Sequence, residues 1–235
     1  MNTINLNGSL SYPMESEVDL QSIMRQVYTW MCLGMLLTAA VAYVTVSTPL
    51  INLAVNPTIM LVAIIAEFAM VLGIGFGFNR ISSGVAGTLF FAYAALNGFT
   101  LSIVLLSFSV GSVFLAFAVT AALFGAMTII GYTTQVDLSK MGTYLMMGVI
   151  GLIIAMVVNM FVNSGPLDTI ISVAGVLIFT ALTAYDTQRI GRMAAQMNMK
   201  DGESAAKFGI FGALKLYLDF INMFLFILRL VGRRR

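Results

Sequence analysis

Histidine is absent from this 235-residue chain, cysteine occurs once, and only 9% of the residues are charged. Without histidine there is neither a Ser-His-Asp triad nor a histidine-ligated metal centre. The single cysteine, Cys32, lies in an apolar run, which excludes a disulfide framework and a cysteine-ligated zinc site. The shortage of charge excludes more. A soluble domain carries about 25% charged residues, so this chain has too few to build a water-facing surface. Its formal net charge of +2 rests on a basic loop and the tail Arg233, Arg234 and Arg235, which gives no nucleic-acid face. A cleavable signal peptide is not expected either. The first 22 residues are polar, with Glu15, Glu17 and Asp19, and the apolar run that follows is too long for a signal core.

What the chain has in abundance is apolar sequence, 60% of all residues. A bilayer core about 30 Å thick takes roughly 20 apolar residues in a helix. Seven segments meet that length: 26–47, 57–78, 84–106, 112–132, 143–163, 168–190 and 210–231. They are separated by turn or polar clusters such as "NSGPLD" and by the hydrophilic stretch 191–207. Strands of a barrel would alternate every second residue, and these do not, so the spans are helices. The expected organisation is a cytoplasmic N-terminal tail, 1–25, a seven-helix transmembrane domain, 26–231, and a basic C-terminal tail, 232–235. Arg25, Arg80, Lys140, Arg189, Arg192, Lys200, Lys207 and Lys215 fall on one side of such a bundle. By the positive-inside rule that side is cytoplasmic, with the N-terminus inside and the C-terminus outside.

Acids inside membrane-length segments mark pathways or relays. Asp186 in "YDTQRI" lies three residues before Arg189, and Asp219 in "LYLDFIN" lies four residues after Lys215. With Arg189 and Lys215 as markers of the membrane edge, a rise of 1.5 Å per residue places both acids at one depth, roughly 5–6 Å in. Two carboxylates facing one another should titrate in coupled steps. Such a site senses protons or holds a divalent cation. The simpler alternative is local: Asp186 paired with Arg189 at i+3, and Asp219 with Lys215 at i−4. A second depth match joins Glu67 in the second span to Arg229 in the seventh, a pair that would pin those two helices together. Asp137 and Asp168 read as helix caps. "GIGFG" at 73–77 and the small residues Ala121, Ala122, Gly125 and Ala126 suit close helix packing. Asn97 and Asn159 suit interhelical hydrogen bonds or a pore lining.

"LTAYDTQRI", "ALKLYLDFINMFLFILRLVG" and "GYTTQVDLSKMG" resemble the Bax inhibitor-1 family, specifically its bacterial inner-membrane members. The resemblance covers nearly the whole chain. It implies an all-α bundle of seven transmembrane helices around a central seventh, with an aspartate pair that senses pH and gates a calcium leak. Asp186 and Asp219 match that pair and would bind calcium weakly. The resemblance also implies an arginine near the cytoplasmic end of the second span that latches onto the sixth-span aspartate, and Arg80 is the candidate here. Some relatives are linked to a membrane-bound ATP-dependent protease, with the N-terminal tail as a contact.

Two functions follow as expectations. One is a pH-sensitive calcium leak channel of the inner membrane. The other is a non-conducting regulator that modulates such a protease, using the acidic N-terminal tail and the stretch 191–207. No enzyme activity and no cofactor besides calcium is expected. An intramembrane aspartyl protease would need Gly-x-Gly-Asp around the second acid and a later Pro-Ala-Leu motif. Here "LYL" precedes Asp219, and no proline follows Pro166. A transporter built from inverted repeats would show internal symmetry, and the halves show none that is clear.

Overall fold

The structure, a computed structural model, describes residues 20–77, 80–196 and 202–232. The acids Glu15, Glu17 and Asp19 and the tail arginines lie outside these residues. Among the described residues, seven helices are long and apolar enough to cross a membrane. They are α1, Leu20–Ser47; α2, Pro57–Gly77; α3, Ser83–Ser107; α4, Val110–Thr133; α5, Met141–Val162; α6, Gly165–Gln196; and α7, Gly202–Val231. A single turn, Ile51–Ala54, links α1 to α2, and the 3-10 turn Leu138–Lys140 leads into α5.

The expected spans reappear with one difference. α6 and α7 continue past membrane length into the stretch 191–207, where a loop was expected. Polar residues there, among them Arg192, Gln196 and Lys207, are good helix formers, so polarity ends the membrane span but not the helix.

Local chemistry explains the ends. Ser82 and Ser109 cap α3 and α4 by accepting from Val85 N and Ser112 N. Asp137 accepts from Ser139 N at 3.0 Å and so caps the 3-10 turn before α5, as expected. Asp168 is not a cap. Ser164 takes that role for α6, accepting from Leu167 N, while Asp168 sits within the first turn. Asn163 closes α5 in the left-handed region, with φ 51°.

α7 is the axis of the bundle. Of its membrane-length window 67% is buried, against 6% for α5 and 11% for α2. It packs on α1, α3, α4 and α6, whereas α5 leans on α6 and α2 on α3. In lipid the hydrophobic effect does not hold helices together, so packing of small residues must. A Cβ at Gly98 would lie 2.5 Å from the Thr38 carbonyl oxygen, and one at Gly131 would collide with the Ala184 backbone. These glycines set the α1–α3 and α4–α6 crossings. Gly73, Gly75 and Gly125 do not: nothing lies within 4 Å of their Cβ positions. The close packing expected of "GIGFG" and Gly125 is therefore absent, because those faces of α2 and α4 turn away from their neighbours.

Candidate functional site

α6 and α7 run antiparallel, joined at the end of the molecule where most basic side chains collect. Asp186 and Asp219 are both buried, each 5% exposed, on these adjacent helices. They share a site with a third group. Lys215 Nζ donates to Asp186 Oδ1 at 3.1 Å, and Asp186 and Lys215 are the charged groups acting on Asp219. Lys215 and Asp219 are four residues apart and so project from one face of α7. That face meets α6. The lysine therefore crosses to the aspartate of the other helix.

This arrangement replaces both local ion pairs. Arg189 donates to the Tyr185 hydroxyl at 3.2 Å, with its guanidinium 5.9 Å from that ring's centre. Asp219 Oδ2 is buried and has no hydrogen-bond partner among the described residues. Two carboxylates thus face one ammonium, and the cluster is neutral only when a proton or another singly charged cation joins it, or when a divalent ion takes the place of the ammonium. A buried acceptor left unpaired is costly, so this oxygen is the place where such a cation gains most.

Asp186 and Lys215, but not Asp219, open on a cleft of about 380 Å³ lined also by Gly142, Thr143, Met147, Tyr185 and Arg189, among others. Gly142 makes room for the Tyr185 side chain, whose hydroxyl any Cβ there would strike. Beside the cleft, the α4–α5 connection is tied to α6. Gln188 accepts from Leu138 N at 2.9 Å and donates to Val136 O at 2.8 Å. Arg192 pairs with Asp137 and donates to Ser139 Oγ at 3.2 Å. The Ser139 backbone N–H, its hydroxyl and Arg192 together hold the Asp137 carboxyl down at about 2. Among the described residues no three His, Cys, Asp or Glu side chains converge as metal ligands. A divalent ion at Asp186 would meet two carboxylates and would have to displace Lys215.

Other expected site residues fall elsewhere. Arg80 is exposed in the turn after α2 and pairs with no carboxylate among the described residues, and the ion partner of Asp186 is Lys215. The latch expected of Arg80 is absent. Nor do Glu67 and Arg229 pair. Glu67 accepts from Thr100 Oγ1 at 2.7 Å, and Arg229 Nη1 lies 3.9 Å from Asp168 Oδ1. Equal depth does not make neighbours: α2 packs on α3, while the C-terminal end of α7 faces α6.

Sequence reasoning missed two residues. Lys215 was read as a marker of the membrane edge and as a local i−4 partner of Asp219, not as the partner of Asp186 that it is. Tyr217, fully buried on the opposite face of α7, lies 2.7 Å from Thr38 Oγ1 and donates to Asn97 Oδ1 at 3.2 Å. Asn97 thus makes the interhelical bond expected of it. Asn159 serves locally instead, accepting from Ser164 N at 3.0 Å.

Comparisons with known proteins agree along the chain. A sequence model of the family described as "Inhibitor of apoptosis-promoting Bax1" matches residues 20–235. The inner membrane protein YbhL of Escherichia coli (strain K12) is 41% identical over 224 residues, covering 94% of this chain and 96% of the relative. An uncharacterised protein of Borreliella burgdorferi is 43% identical over 212 residues, covering 89% and 91% respectively. One from Deinococcus radiodurans is 42% identical over 215 residues, covering 92% of each.

Proposed function

This chain belongs to the Bax1-I family of membrane proteins, and from that premise we propose that it is a pH-sensitive cation leak of the inner membrane, carrying calcium. The observation that supports this reading is the unpartnered buried carboxylate oxygen of Asp219 beside the Asp186–Lys215 ion pair. When Asp219 is protonated, the triad is balanced and Lys215 stays on Asp186. When Asp219 is ionised, the site carries one excess negative charge within the membrane and draws a cation from the cleft. Hard divalent ions prefer several oxygen ligands, and two carboxylates provide few, so binding is weak enough to permit release. The basic end of the bundle faces the cytoplasm in this reading, with the N-terminus inside and the C-terminus outside.

Purified protein in calcium-loaded liposomes tests it. Calcium efflux should exceed that of protein-free vesicles and vary with pH between 5 and 8, and Asp186→Asn or Asp219→Asn should remove the variation. A second reading draws on the family's description as an inhibitor: a non-conducting regulator acting by contact on a membrane-bound ATP-dependent protease. Efflux equal to that of empty vesicles at every pH would reject the leak and favour the regulator.

A further inference from the structure

Three helix ends meet at the end of the bundle opposite Asp186 and Lys215. α5 stops at Val162, α6 starts at Gly165 and α7 runs out at Val231. Between them lies a second cleft, of about 320 Å³, lined by Met156, Asn159, Asn163, Asp168, Ile171 and Arg229. Met160, Phe161 and Val162 of α5 and Ile170 of α6 are exposed beside it. On membrane-spanning helices such side chains lie against acyl chains, and the helix ends lie at the level of the headgroups. The cleft therefore opens where a lipid changes from tail to head.

Its two charged groups are positioned but not joined. Arg229 is steered by Phe226, whose ring centre lies 5.7 Å from the guanidinium carbon. Phe226 is itself fixed. It is buried, stacks on Phe179 with ring centres 5.9 Å apart, and fills space that Gly175 leaves by having no Cβ. Arg229 Nη1 comes within 3.9 Å of Asp168 Oδ1, near enough to attract and too far to hydrogen-bond. Among the described residues, the guanidinium donates no hydrogen bond and the carboxylate accepts none. Asn159 adds a donor: its side-chain oxygen accepts from Ser164 N at 3.0 Å, and its NH2 group has no partner among the described residues.

We propose that this cleft binds the headgroup of a phospholipid bearing a primary amine, phosphatidylethanolamine, with its phosphate on Arg229 and Asn159 and its ammonium on Asp168. The site stands apart from the leak reading and does not depend on it. An arginine fork matches two phosphate oxygens. An ammonium supplies the carboxylate with the donors that Arg229 does not reach far enough to give. The acid also selects against other lipids. Phosphatidylglycerol brings one negative charge, which Arg229 attracts and Asp168 repels. The quaternary ammonium of phosphatidylcholine has no N–H to donate. A soluble zwitterion would match the charges but would leave the exposed apolar rim uncovered.

Native mass spectrometry tests this on the full chain, purified free of lipid in detergent and titrated with dioleoyl lipids of the three headgroups. The parent should retain phosphatidylethanolamine about fivefold better than either other lipid, as expected of a charge-assisted contact that water partly screens. Arg229→Gln should abolish that preference. Asp168→Asn removes both the repulsion and the acceptor of the ammonium, so phosphatidylglycerol should then be retained at least as well as phosphatidylethanolamine. Asp168→Glu keeps the charge and should keep the preference. Equal retention of the three lipids by the parent, or one ranking shared by the parent and Asp168→Asn, would overturn the site. Free O-phosphoethanolamine bound as tightly as the lipid would make the occupant a soluble zwitterion and overturn it too.

Discussion

The two ends of the α6–α7 seam contain the same kinds of group and treat them differently. At the basic end, Asp186 is 7% exposed at its side chain, Lys215 is 27% exposed, and a second buried acid adjoins them. At the far end, Asp168 and Arg229 are each 37% exposed and 3.9 Å apart, and among the described residues no further acid lines their cleft. Burial decides what each can do. Water screens the far pair, so its charges change little when the surroundings change. The near cluster is enclosed by helices and has one carboxylate too many, so any change in one group is felt by the others. The near cluster responds as one group, and that is what the proposed sensor requires. The far pair is fit to hold or release an outside group.

Substitutions can break this contrast, and the largest effect belongs to Lys215. Lys215→Met leaves Asp186 buried without its counter-charge. Thermal unfolding in detergent should register a loss of about 3 kcal/mol, the low end for a broken buried pair, because part of the lysine is exposed. Adding Asp186→Asn to that variant should restore most of the loss. Equal losses in the single and double variants would mean that the pair is not the cause.

Asp219→Asn comes next. It keeps the shape and removes the surplus charge, so calcium efflux should persist and become flat between pH 5 and 8. A pH profile like that of the unsubstituted protein would place the sensor elsewhere. At the far end, Arg229→Gln should cost less than about 1 kcal/mol and leave the pH profile in place; a shifted profile would erase the distinction between the two ends. Glu67→Gln combined with Arg229→Gln should be additive within about 0.5 kcal/mol, as expected of residues without shared partners. Coupling beyond that in a double-mutant cycle would restore the Glu67–Arg229 pair.

The smallest effect concerns Asp137. Its carboxyl sits at about 2 in the folded protein against a reference of 3.8. A depressed folded value means that the contribution is complete above 3.8 and lost as pH falls through about 2. The melting difference between Asp137→Asn and the parent should therefore be constant from pH 5 to 8 and shrink below pH 3. A difference that changes between pH 5 and 8 would contradict this.

Much of the framework could be read in the sequence, since membrane length, turn clusters and basic flanks each act locally. The pairing of the two helices was legible too: Asp186 and Asp219 lie near enough for one to act on the other. Rotation about each helix and the choice of neighbours were not. Arg229 reaches the level of Glu67, yet it turns toward Asp168 because α7 faces α6 there and α2 lies against α3. The same gap hid the role of Lys215. Its spacing from Asp219 placed both on one face, but only packing shows that this face meets Asp186. Glycines misled for a related reason, because small size permits a close crossing only where another helix is present to make it.

The central claim is that Asp186, Asp219 and Lys215 form one electrostatic unit. Infrared difference spectroscopy of the carboxyl C=O band, followed across pH in lipid, tests it directly. The pH response of the carboxyl band should change when Lys215→Met is introduced, although that substitution removes no carboxyl group. A carboxyl band that responds to pH identically in the two proteins would show that the lysine and the acids do not act together, and the proposed sensor would fail.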